Sequence, residues 1–222
     1  MITVHHLENS RSQRVVWLLE ELELSYEVVT YQRDPDTMLA PESLKRVHPL
    51  GKAPVISDGE TVVAESGAII EYLIGEQGDG RLVPEPGSPE RRRYTYWLHY
   101  AEGSAMPPLL LKLIFDTLPG RLPLPLRPVG WLISQGVKSN FVHPQLKLHL
   151  DYVESELSGS TWFAGEMFTG ADVQMSFPLE AASARGLLGS SRPNLEAFVE
   201  RIRERPAYQR AKARIGPQNL GL

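Results

Sequence analysis

Apolar positions near the start of the chain alternate between the spacing of strands and the spacing of a helix. Ile2 to Leu7 reads as a short strand, and Ser25 to Tyr31 reads as a second one. Between them the apolar positions fall mostly on one helical face, and they are Val15, Val16, Leu18, Leu19 and Leu22. Ser10 and Gln13 have the spacing of a capping box, which predicts Ser10 as the N-cap. The order strand, helix, strand predicts a right-handed βαβ unit with parallel strands.

The next pattern lies in residues 48–70, HPLGKAPVISDGETVVAESGAII. Residues 53–56 read as a loop running into a short strand, and Asp58-Gly59 reads as a two-residue hairpin turn. Residues 61–63 read as the returning strand. An apolar-periodic helix is predicted from residue 66 to about residue 77. These elements complete a βαβ–ββα arrangement.

Strand patterns stop after a linker rich in glycine and proline at residues 78–89. Ser88-Pro89 predicts an N-cap followed by proline at the first helical position. Pro107-Pro108 is expected to kink or end that helix. Residues 116–128 are expected to form a proline-rich connection. Further helices are predicted at about 129–157 with an interruption near Pro144, at 171–185, at 194–203 and after Pro206.

The segment FTGADV at residues 168–173 predicts a firm helix start. Thr169 and Asp172 have the spacing of a variant capping box, and Phe168 with Val173 has the spacing of a hydrophobic staple. We therefore assign this segment to folding and give it no chemical role.

Two features of the central stretch could hold a short peptide. Pro54 stands at a strand entrance, and a cis Ala53-Pro54 bond would leave the Ala53 N–H and C=O free to pair with an extended ligand. The helix start at Ser66 offers unpaired N–H groups and a positive dipole end, which suit a carboxylate. Together they predict a site for a short acidic peptide. The same residues are equally compatible with an ordinary hairpin followed by a helix that Ser66 caps.

Composition narrows the range of functions. With 222 residues and 42% hydrophobic residues, the chain can form a core in one large or two small domains. Its net charge of −4 gives no basic surface, so we expect no nucleic-acid partner. Cysteine is absent, which excludes disulfides, thiolate metal sites and a CxxC redox pair. Any thiol chemistry must therefore use a thiol that a ligand brings.

The N-terminal sequence MITVHHL is already strand-like. No signal peptide or membrane span is visible, so we predict a cytoplasmic protein. His5 and His6 are interpreted as strand residues, one facing in and one facing out. They are not interpreted as a metal pair, because no third ligand stands at a useful spacing.

Several motifs together resemble a cytosolic glutathione transferase over essentially the whole chain. They are Ser10-Arg11 after the first strand, HPLGKAP at 48–54, ESGAIIEYL at 65–73 and FTGADVQMSFPL at 168–179. The sequence is most similar to a fungal and bacterial branch that reads H-x-L-x-x-S-R, Y-x-R-D, H-P-L-G-[KR]-x-P, A-E-S-G and Y-x-E-G-S. These motifs stand here at residues 5–11, 31–34, 48–54, 64–67 and 100–104.

The resemblance implies an α/β thioredoxin-like N-terminal domain that holds glutathione, at residues 1–81. A linker at 82–89 would lead to an all-α C-terminal helical domain at 90–222, which would form most of an apolar substrate pocket. The resemblance also implies a homodimer with active sites near the interface. Glutathione would be the co-substrate, with no cofactor and no metal.

Position by position, the resemblance assigns parts of glutathione to individual residues. Ala53, ahead of a cis Pro54, would pair its backbone with the cysteinyl unit. The γ-glutamyl end would be held by Glu65 and Ser66, and the glycine carboxylate would face Lys52 and His48. Tyr100 and Met106 are the candidates for the substrate pocket, and the alternative for such aromatic and Met positions is the core.

The chemistry needs a group that favours the thiolate, because a free thiol with a pKa of about 8.5 is mostly protonated at neutral pH. Ser10 supplies a hydroxyl near the positive end of a helix, and Arg11 would add positive charge. Ser12, Arg11 and a backbone N–H remain alternatives for that role, and Ser10 as a plain helix cap is the structural alternative. We expect conjugation of the thiolate to a small apolar electrophile. A glutathione-dependent peroxidase or disulfide reductase, or a non-catalytic glutathione-binding scaffold, are the alternatives.

Overall fold

The computed structural model describes residues 1–216. Its N-terminal half contains a four-stranded sheet in the order β2-β1-β3-β4. The strands are β1 (Ile2–Leu7), β2 (Tyr26–Tyr31), β3 (Val55–Asp58) and β4 (Thr61–Ala64). β1 pairs in parallel with β2 and antiparallel with β3, and β3 pairs antiparallel with β4. The predicted parallel pair and the predicted hairpin are therefore confirmed.

The hairpin turn differs by one residue from the prediction. Gly59 and Glu60 form the turn, whereas Asp58 still belongs to β3. Asp58 remains in the strand because it is paired on both sides, with Ile2 of β1 and Thr61 of β4. Gly59 has a φ of 59°, which a glycine adopts without steric cost.

The helices of this half are α1 (Ser12–Glu21), α2 (Glu42–Lys45) and α3 (Ser66–Gln77). The prediction that Ser10 caps α1 is wrong, because Arg11 occupies the N-cap position and the cap makes no side-chain hydrogen bond. The Ser10 hydroxyl instead accepts the Ser12 N–H at 3.3 Å, within the turn ahead of the helix.

The remainder of the described chain is helical. Ser88 caps the first of these helices as predicted, accepting the Arg91 N–H at 3.0 Å. The helices are α4 (Pro89–Tyr100), α5 (Met106–Arg121), α6 (Arg127–Val137), α7 (His143–Leu157), α8 (Gly170–Ala184), α9 (Pro193–Glu204) and α10 (Pro206–Ile215). Domain limits at 81 and 90 stay a prediction, and residues 217–222 of the predicted second domain lie outside the described residues.

Two proline positions of the helical half directly follow π-helical segments. Ala101–Ala105 is a π-helix that joins α4 to α5 directly ahead of Pro107-Pro108. Lys138–Val142 is a second π-helix directly ahead of Pro144. Pro107 and Pro144 are each the second residue of the α-helix that follows, so the i→i+5 pattern of the π-helix comes directly ahead of a residue that has no N–H. The predicted kink and interruption therefore take the form of a changed helical hydrogen-bond pattern.

The predicted connection at residues 116–128 is wrong over its first part. α5 continues to Arg121 with Pro119 inside it, and only a short 3-10 turn at Leu124–Leu126 separates it from α6. Asp116, in the second half of α5, forms ion pairs with two lysines. Its Oδ2 lies 2.5 Å from Lys112 Nζ, and its Oδ1 lies 2.7 Å from Lys138 Nζ.

One apolar core joins the sheet half to the helical half. It includes Val4 of β1, Trp17 of α1, Trp97 of α4 and Phe198 of α9, all buried. The start of α8 lies so close to α3 that a Cβ on Gly170 would be 2.6 Å from Ile74 Cδ1. A glycine at this position therefore lets the two elements pack together.

The start of α8 is held by a buried carboxylate. Asp172 accepts the Thr169 N–H at 2.8 Å, the Thr169 hydroxyl at 2.9 Å and the Phe163 N–H at 2.8 Å. The predicted capping box is therefore confirmed. Desolvation raises the pKa of Asp172 to about 6, against the opposing effect of these hydrogen bonds.

We predict that Asp172→Ala lowers the free energy of unfolding by about 3 kcal/mol, because three buried donors lose their acceptor. Asp151→Ala is the matched control. Asp151 is 43% exposed and forms ion pairs with Lys147 and Arg192, so its loss should cost at most about 1 kcal/mol. Urea unfolding monitored by circular dichroism gives both values. Equal losses in the two variants would contradict the folding role of Asp172.

Candidate active site

A cavity of about 220 Å³ opens where the entrance of β3 meets the start of α3. Its walls come from the loop after β1, the loop before β3, the first turn of α3 and the π-helix after α4. Among the residues predicted for the site, those that line it are Arg11, His48, Lys52, Ala53, Pro54, Glu65 and Ser66. The structure thus brings the predicted peptide-binding residues into one concave surface.

The wall beside β3 presents backbone groups. The Ala53-Pro54 peptide bond is cis. Ala53 is half-buried, and the strand pairing of β3 begins two residues later, at Val55. Within residues 1–216, the backbone of Ala53 has no hydrogen-bond partner. An extended ligand can therefore pair with this residue.

The wall at α3 presents the N-terminus of a helix. Glu65 is the N-cap and has a φ of 71°, in the left-handed region that non-glycine residues rarely adopt. Such conformations concentrate at functional sites. Ser66 is the first helical residue and not the cap, so the simple interpretation of a helix capped by Ser66 is wrong. The N–H groups of this first turn are available to an anion.

The Ser66 hydroxyl is held from behind by two donors. Ser66 is buried, and its Oγ accepts Arg14 Nη2 at 2.9 Å and Gln174 Nε2 at 3.4 Å. A guanidinium and an amide nitrogen can only donate, so they occupy the lone pairs of this oxygen. The hydroxyl proton of Ser66, a residue that lines the cavity, is therefore free to bond a ligand.

Arg14 connects the groups behind this wall of the cavity. Its side chain is 1% exposed, and it donates to the backbone carbonyl of Gln174 at 2.6 Å and to Glu102 Oε1 at 2.5 Å. Burial lowers the pKa of Arg14 to about 10, and the charge of Glu102 opposes that shift. Arg14 is therefore still a cation at neutral pH.

Glu102 pairs with both arginines beside the cavity. Its two oxygens each lie 3.0 Å from Arg11 Nε, and one of them also binds Arg14. Desolvation alone would raise the pKa of Glu102, but the charges of Arg14 and Arg11 outweigh it and lower the pKa. Both guanidinium groups lie 5.2 Å from the ring of Phe177. The cluster of two cations and one anion leaves one net positive charge at the site.

Ser10 and Ser12 lie behind the cavity wall. Ser10 is 6% exposed and Ser12 is fully buried, and neither lines the cavity. Their hydroxyl oxygens are 2.7 Å apart, and Ser12 Oγ lies 2.6 Å from His6 Nδ1. Arg11, between the two serines, does line the cavity. The roles predicted for Ser10, Arg11 and Ser12 stay predictions.

The two histidines of β1 are both buried, so the prediction that one faces outward is wrong. They do lie on opposite faces of the sheet, as the period of a strand requires. His6 contacts Ser12 of α1, whereas His5 contacts Tyr31 Oη at 3.0 Å and Ser57 Oγ at 2.9 Å. β1 is an interior strand of the sheet, and the side chains of both histidines are buried.

Tyr100 and Met106 lie in the core of the helical half. They are 7% and 8% exposed, and the Tyr100 hydroxyl lies 2.6 Å from His149 Nδ1. The Tyr100 ring is also 5.0 Å from the ring of Trp97. Neither residue lines the cavity described above. Their assignment to a substrate pocket stays a prediction.

Sequence reasoning missed the residues that support the site from behind. Glu102 stands in the motif Y-x-E-G-S, which was recognised in the sequence, but no role was predicted for this residue. Arg14 lies next to Val15 and Val16, which are also buried, so a charge on the apolar side of a helix was a usable signal. Gln174 stands in the motif FTGADVQMSFPL, but its role was not predicted, because it depends on how α8 packs against α1 and α3.

Comparisons with known proteins agree with this geometry. Residues 1–75 match the family "Glutathione S-transferase, N-terminal domain", and residues 140–206 match "Glutathione S-transferase, C-terminal domain". The chain is 35% identical over 222 residues to "Glutathione S-transferase 3" of Schizosaccharomyces pombe, covering 100% of this chain and 91% of that relative.

Solved structures show the same likeness. A glutathione S-transferase from Actinobacillus pleuropneumoniae has a TM-score of 0.82 and 35% identity, covering 99% of this chain and 94% of that one. A glutathione transferase from Phanerochaete chrysosporium, solved in complex with oxidized glutathione, has a TM-score of 0.74 and 26% identity, covering 97% of each chain.

These matches define a transferase with a thioredoxin-like N-terminal half and a helical C-terminal half. The chain belongs to the glutathione S-transferase family, and glutathione is its co-substrate. The predicted fold class and the predicted family are confirmed. Between residues 1 and 216, no helix is long and apolar enough to cross a bilayer.

The lowered pKa of Glu102 predicts how the stability of the protein changes with pH. A carboxyl whose folded pKa is depressed stabilises the protein above its unfolded pKa, and that stabilisation is lost as pH falls through the folded value. Glu102→Gln should therefore lose less stability than the wild type between about pH 5 and pH 3. Urea unfolding at several pH values measures the difference. Parallel pH curves for the wild type and Glu102→Gln would contradict it, and exposed Glu60→Gln is the control.

Proposed function

We propose that this enzyme conjugates the thiolate of glutathione to small apolar electrophiles. The observation that carries the proposal is the cavity at the start of α3, whose lining includes Ala53, Lys52, Glu65 and Ser66. This cavity places the unpaired backbone of Ala53 beside the N-terminus of α3. A short peptide with acidic ends can pair its backbone with Ala53 and place a carboxylate at the start of α3.

Each end of glutathione meets suitable groups in this proposal. The γ-glutamyl carboxylate takes the N–H groups at the start of α3 and the Ser66 hydroxyl, with Glu65 nearby for the α-amino group. The glycine carboxylate faces Lys52, which is exposed, and His48, which is half-buried. The related fungal enzyme that holds oxidized glutathione supports a ligand of this kind.

In this proposal, the loop after β1 activates the thiol of glutathione. Ser10 donates a hydrogen bond from its hydroxyl to the sulfur, which favours the thiolate, and the thiol proton leaves to water. The N-terminus of α1 and the net positive cluster around Arg14 add favourable potential. The thiolate then attacks the electrophilic carbon of the second substrate, so that a carbon–sulfur bond forms and the bond to the leaving group breaks. With chloro-dinitrobenzene the leaving group is chloride. The enzyme contributes positioning and electrostatic stabilisation of the developing charge.

Family membership supports the remaining parts of the proposal. The predicted helical domain at 90–222, with Tyr100 and Met106 in its described part, provides the apolar surroundings of the electrophile. The enzyme works as a homodimer with an active site near each side of the interface. We expect it in the cytoplasm.

Two serine variants test the assignment of roles. Ser66→Ala should weaken glutathione binding about tenfold, because a hydrogen bond to a charged group is worth roughly 1.5 kcal/mol. Ser10→Ala should lower kcat with chloro-dinitrobenzene by about tenfold or more while changing glutathione affinity by less than about threefold. Calorimetry gives the affinity, and melting temperatures verify that both variants fold.

The controls separate the possible activities. Ser139→Ala, on the exposed π-helix ahead of α7, should match the wild type in every assay. The wild type is also assayed with a hydroperoxide and with a mixed disulfide of glutathione. Turnover of these two substrates without conjugation would contradict the proposal. Absence of a calorimetric signal with glutathione would contradict the binding of glutathione as well as its conjugation.

A further inference from the structure

A chain of hydrogen bonds runs from the interior of the sheet to the loop ahead of α1. It begins at His6 Nδ1, which lies 2.6 Å from Ser12 Oγ, and continues 2.7 Å to Ser10 Oγ. The exposed fractions are 1% for His6, 0% for Ser12 and 6% for Ser10. Ser10 is therefore the most exposed end of the chain of hydrogen bonds, and it is the sequence neighbour of Arg11, which lines the cavity.

Each serine in this chain has only one hydroxyl proton, so the direction of donation is set at the far end. If His6 Nδ1 carries a proton, it donates to Ser12, Ser12 donates to Ser10, and the proton of Ser10 is free. If Nδ1 carries a lone pair, Ser12 donates to it and Ser10 donates to Ser12. In that case Ser10 offers a sulfur only a lone pair.

A thiolate accepts hydrogen bonds and donates none. Ser10 Oγ already accepts the Ser12 N–H at 3.3 Å, so it can take a second bond from the Ser12 hydroxyl and still donate one of its own. Only the chain that begins with a protonated Nδ1 gives the thiolate a donor. The tautomer of His6 thus decides whether Ser10 can perform the role proposed above.

We propose that His6 is a positioning residue whose Nδ1–H orients the hydroxyls of Ser12 and Ser10 so that Ser10 donates to the sulfur of glutathione. The inference rests on the proposed function, because it names the group that sets up Ser10 for that step. His6 neither gains nor loses a proton here. The thiol proton leaves to water, and the negative charge stays on the sulfur.

The surroundings of His6 favour a fixed neutral ring. Burial lowers the pKa of His6, and the charge of Glu8 opposes that shift. A neutral imidazole has one N–H and one lone pair, so its partner selects between two tautomers. In the bound complex, that partner is a hydroxyl chain ending at an anion.

Variants of neighbouring histidines give a matched test. His6→Leu removes the ring nitrogens, whereas His6→Asn keeps an amide N–H near the position of Nδ1. His5→Leu is the control, because His5 is buried in the same strand and contacts Tyr31 and Ser57 but not the hydroxyl chain. The thiol pKa of bound glutathione is measured by the ultraviolet absorbance of the thiolate, without any electrophile. Calorimetry at a pH where the thiol is protonated gives the affinity.

We expect His6→Leu to raise the pKa of the bound thiol by about one unit, a tenfold loss of thiolate at a given pH. Glutathione affinity should change by less than about threefold, since the carboxylate contacts are untouched. His6→Asn should retain more than half of the lowering found in the wild type. His5→Leu should leave the thiol pKa as in the wild type.

The contrary outcomes separate this inference from the proposed function. A lowered thiol pKa in the wild type that persists in His6→Leu, or that His5→Leu abolishes equally, overturns the role of His6 and leaves the proposed function standing. A wild-type complex whose thiol titrates like free glutathione overturns both. Nitrogen-15 chemical shifts of His6 in the wild-type complex give a second readout that needs no variant. They should report Nδ1–H, and an Nε2–H tautomer overturns the inference.

Discussion

A single buried guanidinium is the constraint on which the rest of the structure depends. Arg14 is almost completely excluded from solvent, and it reaches Ser66 of α3, Glu102 of the π-helix and the Gln174 carbonyl of α8. Burying a charge is costly unless it is paired and hydrogen-bonded. These elements must therefore meet in one arrangement to satisfy Arg14. The position of Ser66, which lines the cavity, follows from that arrangement.

Helix α1 contributes to two separate hydrogen-bond networks, one for the γ-glutamyl carboxylate and one for the sulfur of the proposed ligand. Arg14, inside the helix, orients the hydroxyl that would meet the γ-glutamyl carboxylate. Ser12, the first residue of the helix, connects His6 of the sheet to Ser10, which would meet the sulfur. In our proposal, each network places donors behind a serine, so that the proton of that serine is free for the ligand. Glu102 forms ion pairs with Arg11 and Arg14 and so neutralises one of these two positive charges at the site.

Local sequence patterns predicted those parts of the protein that local physics decides. The strand and helix periods, the helix start at Ser66 and the Thr169 capping box were all readable from a few neighbouring residues. The role of Ser10 as a cap and the outward-facing histidine were wrong. Both depend on contacts between elements, such as the approach of Ser12 to His6. Arg14 was missed for the same reason, since its partners lie on three other elements.

A double-mutant cycle on glutathione affinity tests most directly whether Arg14 organises the site through Ser66. Arg14→Lys keeps the charge but loses the planar fork that reaches several acceptors at once. Calorimetry is performed on Arg14→Lys, Ser66→Ala and the double variant. Our account predicts that the double variant binds about as weakly as the weaker single variant, with a coupling of about 1 kcal/mol or more. Losses that add to within about 0.5 kcal/mol would contradict it.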